Sequence, residues 1–187
     1  MATAKEQSAA GPIECQRSNS IEALWYPKAD RVNRPMADAF GALGETDFDR
    51  RTHFIRGRFE NLYLRSARLP GLPAVLEFGL DRAGQLLDIA ASNLRVGFWL
   101  NAMAPGQSTS RHCHEENDEL LSGVYYVTAP RDSGAILFHD GPFETRVVPR
   151  AGLMLLFPPE LPHSVGTNMS QELRLSIAFN IGLKQQS

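Results

Sequence analysis

The sequence predicts a mainly β protein with helices near its N-terminus, and three observations support this fold class. Apolar residues recur at helical spacing in LPAVLEFGLDRAGQLLDIAASN, which spans 72–93. From residue 94 onward the chain becomes a series of short apolar runs rich in β-branched and aromatic residues. Proline, glycine or charged turns separate these runs, a spacing typical of an antiparallel sandwich or a small barrel.

The first half is predicted to hold two strand segments and two helices. IEALWYPKAD begins as a strand and turns at Pro27. DRVNRPMADAFGALGE, at 30–45, is predicted to be a helix with a proline near its front. THFIRGRFENLYL alternates and is predicted to be a strand broken at Gly57. The long helix is expected to end near Asn93, with an apolar face formed by Leu76, Leu80, Ala83, Leu87 and Ala90.

The second half is predicted to supply a set of short strands. Their sequences are LRVGFWLNAMA, LLSGVYYVTA, GAILFHD, FETRVVP, GLMLLFP, HSVGTN and LRLSIAFNIGL. We predict a β core from about 94 to 181 within a single domain that covers 21–187. Residues 1–20 are polar and rich in small residues, and are predicted to form a flexible tail.

Composition excludes several classes of protein. The net charge of −2 over 187 residues gives no basic footprint for nucleic acid. No apolar run approaches the ~20 residues of a membrane span, and the N-terminus lacks the apolar core of a secretory signal. Cys15 and Cys113 lie far apart and favour a reducing compartment over a disulfide. We predict a cytoplasmic protein that binds neither nucleic acid nor membrane, and a homodimer is compatible with the sequence.

The segment RHCHEEND, at 111–118, contains two of the five histidines. His112 and His114 would project from the same side of a strand and could share one metal ion if a third group joined them. The candidate is His163, which follows a strand and a proline-rich turn in GLMLLFPPELPHSVGTN. The alternative is a polar loop that happens to hold two imidazoles. His53 and His139 stand alone and are expected to be structural or exposed.

An ordered set of motifs carries a family resemblance over about 94–181. GQSTSRHCH, LSGVYYV, GAILFHDG, GLMLLFPPELPHSV and LRLSIAFN occur in this order. The set resembles the Fe(II)/2-oxoglutarate oxygenase family of prolyl-hydroxylase type, whose fold is a double-stranded β-helix (a jelly-roll, cupin-like core). The positions that match the family pattern are Gly106, His112, His114, Tyr126, Gly152, Phe157, His163 and Arg174.

The resemblance implies an Fe(II)- and 2-oxoglutarate-dependent dioxygenase that uses molecular oxygen to oxidise, by hydroxylation, a small molecule or amino acid. It assigns the catalytic metal to His112, His114 and His163. It assigns the far carboxylate of 2-oxoglutarate to Arg174, because a guanidinium fork donates two parallel hydrogen bonds to a carboxylate. The other residues that it brings to the cosubstrate are Ser176 and Tyr126. Separately, Asn101 in FWLN could approach the cosubstrate, and the alternative is an ordinary polar strand residue.

The metal motif departs from the family pattern at one position. The family has a His-x-Asp pair, and the aspartate position is occupied here by His114. Two histidines and one carboxylate leave three coordination positions open on iron. Three histidines can leave the same number open, and we favour that set. The alternative is that a nearby carboxylate replaces one histidine, and the candidates are Glu115, Glu116, Asp118 and Glu119.

The strand LRLSIAFN has two different faces. Arg174, Ser176, Ala178 and Asn180 alternate with an apolar set. We predict that the apolar face packs on the helices and that the Arg174 face lines a cavity.

A rival interpretation is a cupin, which shares the fold. The first cupin motif is satisfied by Gly106, His112, His114 and Glu119. The second is met at Gly152, Pro158 and His163, but Glu160 replaces a glycine and Asn168 is one position late. A cupin would bind metal without 2-oxoglutarate, as a dioxygenase, an isomerase or a binding protein. A third interpretation is a structural protein with a decayed site.

Two arginines in the first half of the chain bear on the substrate. Arg56 and Arg58 share a strand face and could hold a substrate carboxylate, which would favour a small acid or amino acid over a peptide. The alternative is that both arginines are solvated strand residues.

Overall fold

The structure is a computed structural model that describes residues 21–114 and 118–185. The predicted tail at 1–20 lies outside the described residues. The helices are α1 (Ala29–Gly41) and α2 (Leu72–Leu87). The strands are β1 (Glu22–Trp25), β2 (Arg50–Ile55), β3 (Arg58–Tyr63), β4 (Leu94–Met103), β5 (Thr109–His112), β6 (Glu119–Thr128), β7 (Ile136–Asp140), β8 (Phe143–Val147), β9 (Leu153–Phe157), β10 (His163–Val165) and β11 (Arg174–Leu183).

Two antiparallel sheets form the body of the protein. The larger sheet has the strand order β1-β9-β6-β11-β4-β3-β2, and the smaller has the order β5-β10-β7-β8. After β4 the chain passes repeatedly between the sheets, so that β6, β9 and β11 join the larger sheet while β5, β7, β8 and β10 form the smaller one. This architecture is the predicted double-stranded β-helix. No helix within the described residues is long and apolar enough to cross a membrane.

Both helices belong to the core on the outer face of the larger sheet. Leu72, Val75 and Ala83 of α2 are fully buried there, together with Ile177 and Phe179 of β11. The other face of β11 points between the sheets, where Arg174, Ser176, Ala178 and Asn180 line a cavity. The prediction for the two faces of this strand is therefore confirmed.

The predicted elements differ from the structure at several boundaries. The long helix ends at Leu87 because Asp88 adopts a left-handed φ of 54°, and the Ile89 N–H then donates to the Gly84 carbonyl at 3.0 Å. A Cβ at Gly84 would lie 2.6 Å from the Ile89 carbonyl oxygen, so the chain reverses closely at this glycine. Ala90 consequently lies outside the helix. In α1 the proline occupies the middle of the helix and not its front.

The β core is also wider than the predicted 94–181. β1 pairs with β9 at one edge of the larger sheet, and the β2–β3 hairpin extends the opposite edge. The predicted break at Gly57 is the turn of this hairpin, where Arg56 and Gly57 have φ values of 50° and 82°. The hairpin matters for function because it supplies one wall of the cavity.

Gly123 in β6 allows the closest packing in the large sheet. A Cβ at this position would lie 2.3 Å from the Phe179 ring, which is 1% exposed and cannot move away. We therefore expect Gly123→Ala to lower the free energy of unfolding by about 1–3 kcal/mol through overpacking, measured by urea denaturation. The matched control is Gly97→Ala in β4, where a Cβ meets nothing within 4 Å. Equal stability of the two variants would contradict this packing.

Candidate metal and cosubstrate site

A cavity of about 450 Å³ lies between the two sheets. Its walls come from β4, β6 and β11 of the larger sheet, from β5 and β10 of the smaller sheet, and from the β2–β3 hairpin. Phe157, Val124 and Ile136 make part of the lining apolar, while a small number of polar side chains converge on the same space. This combination is characteristic of a ligand site.

Three imidazoles meet in this cavity. Strand pairing places His163 directly opposite His112, and their ring centroids are 4.4 Å apart. The His114 N–H donates to the Pro159 carbonyl at 2.8 Å, which fixes His114 beside the loop that leads into β10. One ligand nitrogen from each of the three rings lies within 4.8 Å of the others, so the group could hold one metal ion.

Hydrogen bonds orient two of these rings. Nδ1 of His112 lies 2.9 Å from the Ser110 carbonyl, and Nδ1 of His163 lies 3.0 Å from the Leu161 carbonyl. A carbonyl can only accept, so in each neutral ring Nδ1 carries the proton and Nε2 keeps its lone pair for a metal. The Phe157 ring, 4.9 Å from that of His163, further restricts the orientation of this imidazole.

Burial keeps two of the imidazoles neutral. Desolvation, with a smaller contribution from His112, lowers the pKa of His163 to about 3. The same two causes lower the pKa of His114 to about 4. Metal ligation requires neutral imidazole, so at neutral pH protons do not compete for these two ligands.

The carboxylates that could have replaced a histidine do not join this group. Asp118 pairs instead with Arg95. Glu119 lies at the start of β6 opposite Gly182, and neither its carboxylate nor that of Asp118 belongs to the group of converging ligand atoms. Glu115 and Glu116 lie outside the described residues.

Arg174 is a buried guanidinium without an anion. It is 2% exposed and lines the cavity. Its Nη1 donates to the carbonyls of Ser133 at 3.3 Å and Gly134 at 2.9 Å, and its Nη2 lies 2.9 Å from Met103 Sδ. Nε is buried with no hydrogen-bond partner, and across 21–114 and 118–185 no carboxylate pairs with the side chain. Burial lowers the pKa of Arg174. A buried cation in this state favours binding of an anion.

The other predicted cosubstrate residues lie near this guanidinium. Ser176 is 2% exposed, and its hydroxyl lies 3.4 Å from the Asn101 carbonyl oxygen. The Tyr126 ring centroid is 5.7 Å from the Arg174 guanidinium carbon, and burial raises the pKa of Tyr126 to about 12. Tyr126 therefore remains a hydrogen-bond donor at neutral pH. Asn101 also lines the cavity, but its side-chain oxygen accepts from Arg58 at 3.4 Å.

The predicted pair of arginines for a substrate carboxylate does not form. Arg58 is buried and bonded to Glu60 at 3.0 Å, and it also donates to the Ser108 carbonyl and the Thr109 hydroxyl at 3.1 Å each. Arg56 lies in the exposed hairpin turn, outside the cavity lining, and reaches only the Ser108 hydroxyl at 3.4 Å. Arg58 is thus committed to internal contacts, and it is not solvated as the alternative supposed.

Sequence reasoning missed part of the cavity wall. His53 is exposed, as expected, but it also lines the cavity, whereas His139 lies elsewhere and contacts Ser164 and Glu144 as expected. Trp99 lines the cavity with its ring centroid 5.6 Å from that of His114. Alternation along β4 from Asn101 could have identified Trp99. No sequence signal indicated that Glu60 would face the same space.

Comparison with known proteins shows a family match within the second half of the chain. A family model described as "Putative 2OG-Fe(II) oxygenase" matches residues 97–147 and 141–180, a stretch that includes all three histidines and Arg174. The double-stranded β-helix, together with this match, defines an Fe(II)- and 2-oxoglutarate-dependent oxidoreductase. Residues 97–180 are thus similar to the 2OG-Fe(II) oxygenase family. Among curated proteins, no sequence matches the chain with significance.

Solved structures show the same fold at low sequence identity. A Pseudomonas putida prolyl-4-hydroxylase is 19% identical with a TM-score of 0.62, over 90% of each chain. EvdO2 from Micromonospora carbonacea var. aurantiaca, complexed with 2-oxoglutarate, is 14% identical with a TM-score of 0.58, over 97% of this chain and 96% of that chain. A Trichoplax adhaerens prolyl hydroxylase in complex with a hypoxia inducible factor peptide is 13% identical with a TM-score of 0.66, over 88% and 84%.

The buried histidines predict an acid-sensitive metal-free protein. Unfolded histidines protonate near 6.5, whereas His163 and His114 stay neutral in the folded state down to about 3 and about 4. Below pH 6.5 the unfolded state therefore binds more protons, and stability falls as the pH falls. For His163 we expect a slope of about 1 kcal/mol per pH unit between pH 6 and 5, measured by urea unfolding without metal.

The matched variant is His163→Asn, whose amide can still donate to the Leu161 carbonyl. This variant should reduce the slope of stability against pH by the contribution of His163, about 1 kcal/mol per pH unit. A slope that is the same in both proteins would show that His163 is not held neutral by the fold.

Proposed function

We propose that the protein is a non-haem oxygenase in which His112, His114 and His163 hold Fe(II), and Arg174 anchors the far carboxylate of 2-oxoglutarate. The substrate is a small molecule, oxidised by hydroxylation. The observation that carries the proposal is the buried Arg174 guanidinium, which has no anionic partner among the described residues and faces the same cavity as the three imidazoles.

The side chains of the protein supply binding and orientation. Fe(II) with 2-oxoglutarate supplies the oxidation when bound, consuming molecular oxygen and releasing succinate and carbon dioxide. The three imidazoles offer neutral nitrogen ligands, and hydrogen bonds to the carbonyls of Ser110 and Leu161 aim two of them. Arg174 Nε is free to donate to a carboxylate, and the hydroxyls of Ser176 and Tyr126 lie on the same part of the wall.

Charge balance is compatible with a three-histidine ligand set. Three neutral imidazoles leave the full double positive charge on Fe(II), and the two carboxylates of 2-oxoglutarate cancel it. Arg174 then adds one positive charge at the far carboxylate. A glutamate or aspartate ligand would instead bring a further negative charge to the metal. With Arg174 counted, the three-histidine set leaves one net positive charge and a carboxylate ligand would leave none, so the charge count does not select the ligands. The convergence of the three imidazoles supports the histidine set.

A cupin-type function without 2-oxoglutarate is less well supported. It would use Glu119 as a fourth ligand, and that carboxylate does not converge with the imidazoles. It would also leave the buried Arg174 without a ligand to pair with. We therefore propose the oxygenase alone.

The metal assignment is tested by single substitutions of histidine. We expect His163→Ala to lose stoichiometric Fe(II), measured by metal analysis after anaerobic loading, because one of three neutral nitrogen ligands is removed. His139→Ala is the matched control and should keep its iron, because His139 bonds to Ser164 and does not belong to the three converging ligands. Full iron occupancy in His163→Ala would overturn the assignment.

The choice between histidine and carboxylate needs a separate comparison. We expect His114→Ala to lose iron and Glu119→Gln to retain it, since only His114 converges with the other two rings. The opposite pattern, with iron lost only in Glu119→Gln, would establish a carboxylate ligand and contradict the three-histidine set.

The cosubstrate assignment is tested at Arg174. Charge-assisted hydrogen bonds contribute about 1.5–3 kcal/mol, or about one to two decades in affinity. Arg174→Ala should therefore raise the 2-oxoglutarate dissociation constant at least tenfold while iron stays bound. Arg174→Lys should recover only part of the affinity, because the planar fork is lost. Arg131→Ala, an exposed arginine, is the control. Unchanged 2-oxoglutarate affinity in Arg174→Ala would refute the anchor.

A further inference from the structure

One wall of the cavity is not used by the metal or cosubstrate in the proposed function. It is formed by the β2–β3 hairpin and the adjacent part of β4, and we call it the hairpin wall. Its members are His53, Glu60, Asn61, Tyr63 and Trp99, all of which line the cavity. Because Trp99 also contacts His114, this wall lies beside the proposed metal and would contact a substrate positioned for oxidation.

The charge of this wall does not suit a carboxylate. Glu60 contributes its only formal charge, and Arg58 neutralises it at 3.0 Å while remaining bonded to further oxygen acceptors. Arg174, the arginine that lines the cavity within the described residues, is reserved for 2-oxoglutarate in the proposed function. In the part of the chain that the structure describes, the cavity therefore offers no uncommitted arginine or lysine to a substrate acid.

The hydrogen-bonding groups of the wall include both donors and acceptors. The Asn61 amide nitrogen donates to His53 Nδ1 at 3.1 Å, so Nδ1 accepts and the His53 proton sits on Nε2. That leaves the His53 Nε2–H as a donor and the Asn61 side-chain oxygen as an acceptor, and the Tyr63 hydroxyl can do either. A hydroxyl group donates and accepts at once, whereas a carboxylate only accepts and an ammonium only donates. Substrate hydroxyls match this wall best.

Two aromatic rings, those of Tyr63 and Trp99, provide the apolar part of the same wall. The centroids of Tyr63 and Trp99 are 6.4 Å apart, with their planes inclined at 39°. The rings and the polar groups of His53 and Asn61 together form a surface that is apolar in one part and hydrogen-bonding in the other. A ligand that fits it has a compact ring with an apolar face and hydroxyls at its edge.

We propose that the substrate is a neutral, hydroxyl-bearing ring compound of the glycoside class, and not an amino acid or a carboxylic acid. The proposal rests on the proposed function, because it assumes that Arg174 is occupied by 2-oxoglutarate. It replaces the preference for a small acid, whose basis was an arginine pair that the structure does not form.

A charge-matched series of ligands tests the proposal. The probes are methyl glucoside, methyl glucuronide and methyl glucosaminide, which differ by a neutral, carboxylate or ammonium group, and free proline as the amino acid. Each is titrated into protein loaded with Zn(II), which is unreactive with oxygen, and saturating 2-oxoglutarate. Binding is measured by saturation-transfer NMR. We expect methyl glucoside to bind at least tenfold more tightly than the glucuronide and proline. Equal or tighter binding of the glucuronide or proline, or no binding of any glycoside, would overturn the proposal.

A pair of hairpin variants localises the binding. Asn61→Ala removes an acceptor of the wall and should weaken methyl glucoside binding at least fivefold. Phe54→Ala lies on the same hairpin, is exposed and does not line the cavity, so it should bind as the parent protein does. Equal glucoside affinity in Asn61→Ala and Phe54→Ala would contradict the location.

Metal content and 2-oxoglutarate affinity are measured on the same samples. If both are normal and the glycosides do not bind, the substrate class is wrong and the oxygenase proposal stands. If the parent protein does not bind metal and 2-oxoglutarate, the proposed function itself fails.

Discussion

The pairing of β5 with β10 is the constraint on which the site depends. It sets His112 opposite His163, although 50 residues of chain separate them, and the backbone bond from His114 to Pro159 adds the third ring to the same strand end. A shift of the pairing by one residue would turn His163 to the other face of the smaller sheet, and the three imidazoles would no longer converge. The two sheets and the helices behind them hold this register in place.

Burial has opposite consequences for the charge state of the groups at the two ends of the cavity. At the metal end, desolvation keeps His114 and His163 neutral, so their nitrogens are available without the loss of a proton. At the other end, the Arg174 guanidinium must remain charged because arginine does not deprotonate in proteins. Its charge has no carboxylate partner in the described residues, so a bound dicarboxylate would relieve a cost built into the fold. Ligand binding of this kind stabilises the folded state by mass action.

The sequence predicted those elements of the fold that depend on the pattern of neighbouring residues. Alternation along β11 correctly separated the Arg174 face from the Phe179 face, and the short runs after residue 94 correspond to strands of both sheets. The exact end of α2 was missed because a left-handed Asp88 and the close approach of Gly84 to Ile89 end it, features that helical periodicity does not encode. The contribution of β1 and the hairpin to the larger sheet is a tertiary pairing that no local pattern specifies.

The same distinction between local pattern and tertiary contact applies to the residues of the candidate site. The sequence predicted His112 and His114 as a pair and His163 as the third ligand from its place after a strand and a proline-rich turn, and the family resemblance supplied the role of Arg174. Arg58 was predicted to hold a substrate carboxylate, but its side chain is bonded to Glu60, Ser108 and Thr109. Only the folded chain brings these residues together. His53 and Trp99 reached the cavity wall through the packing of the hairpin against β4.

A crystal structure of the anaerobic protein with Fe(II) and 2-oxoglutarate tests the central claim most directly. The account predicts iron bound by one nitrogen from each of His112, His114 and His163, and the far carboxylate of 2-oxoglutarate hydrogen-bonded to Arg174. A protein carboxylate among the iron ligands, or 2-oxoglutarate bound away from Arg174, would contradict it.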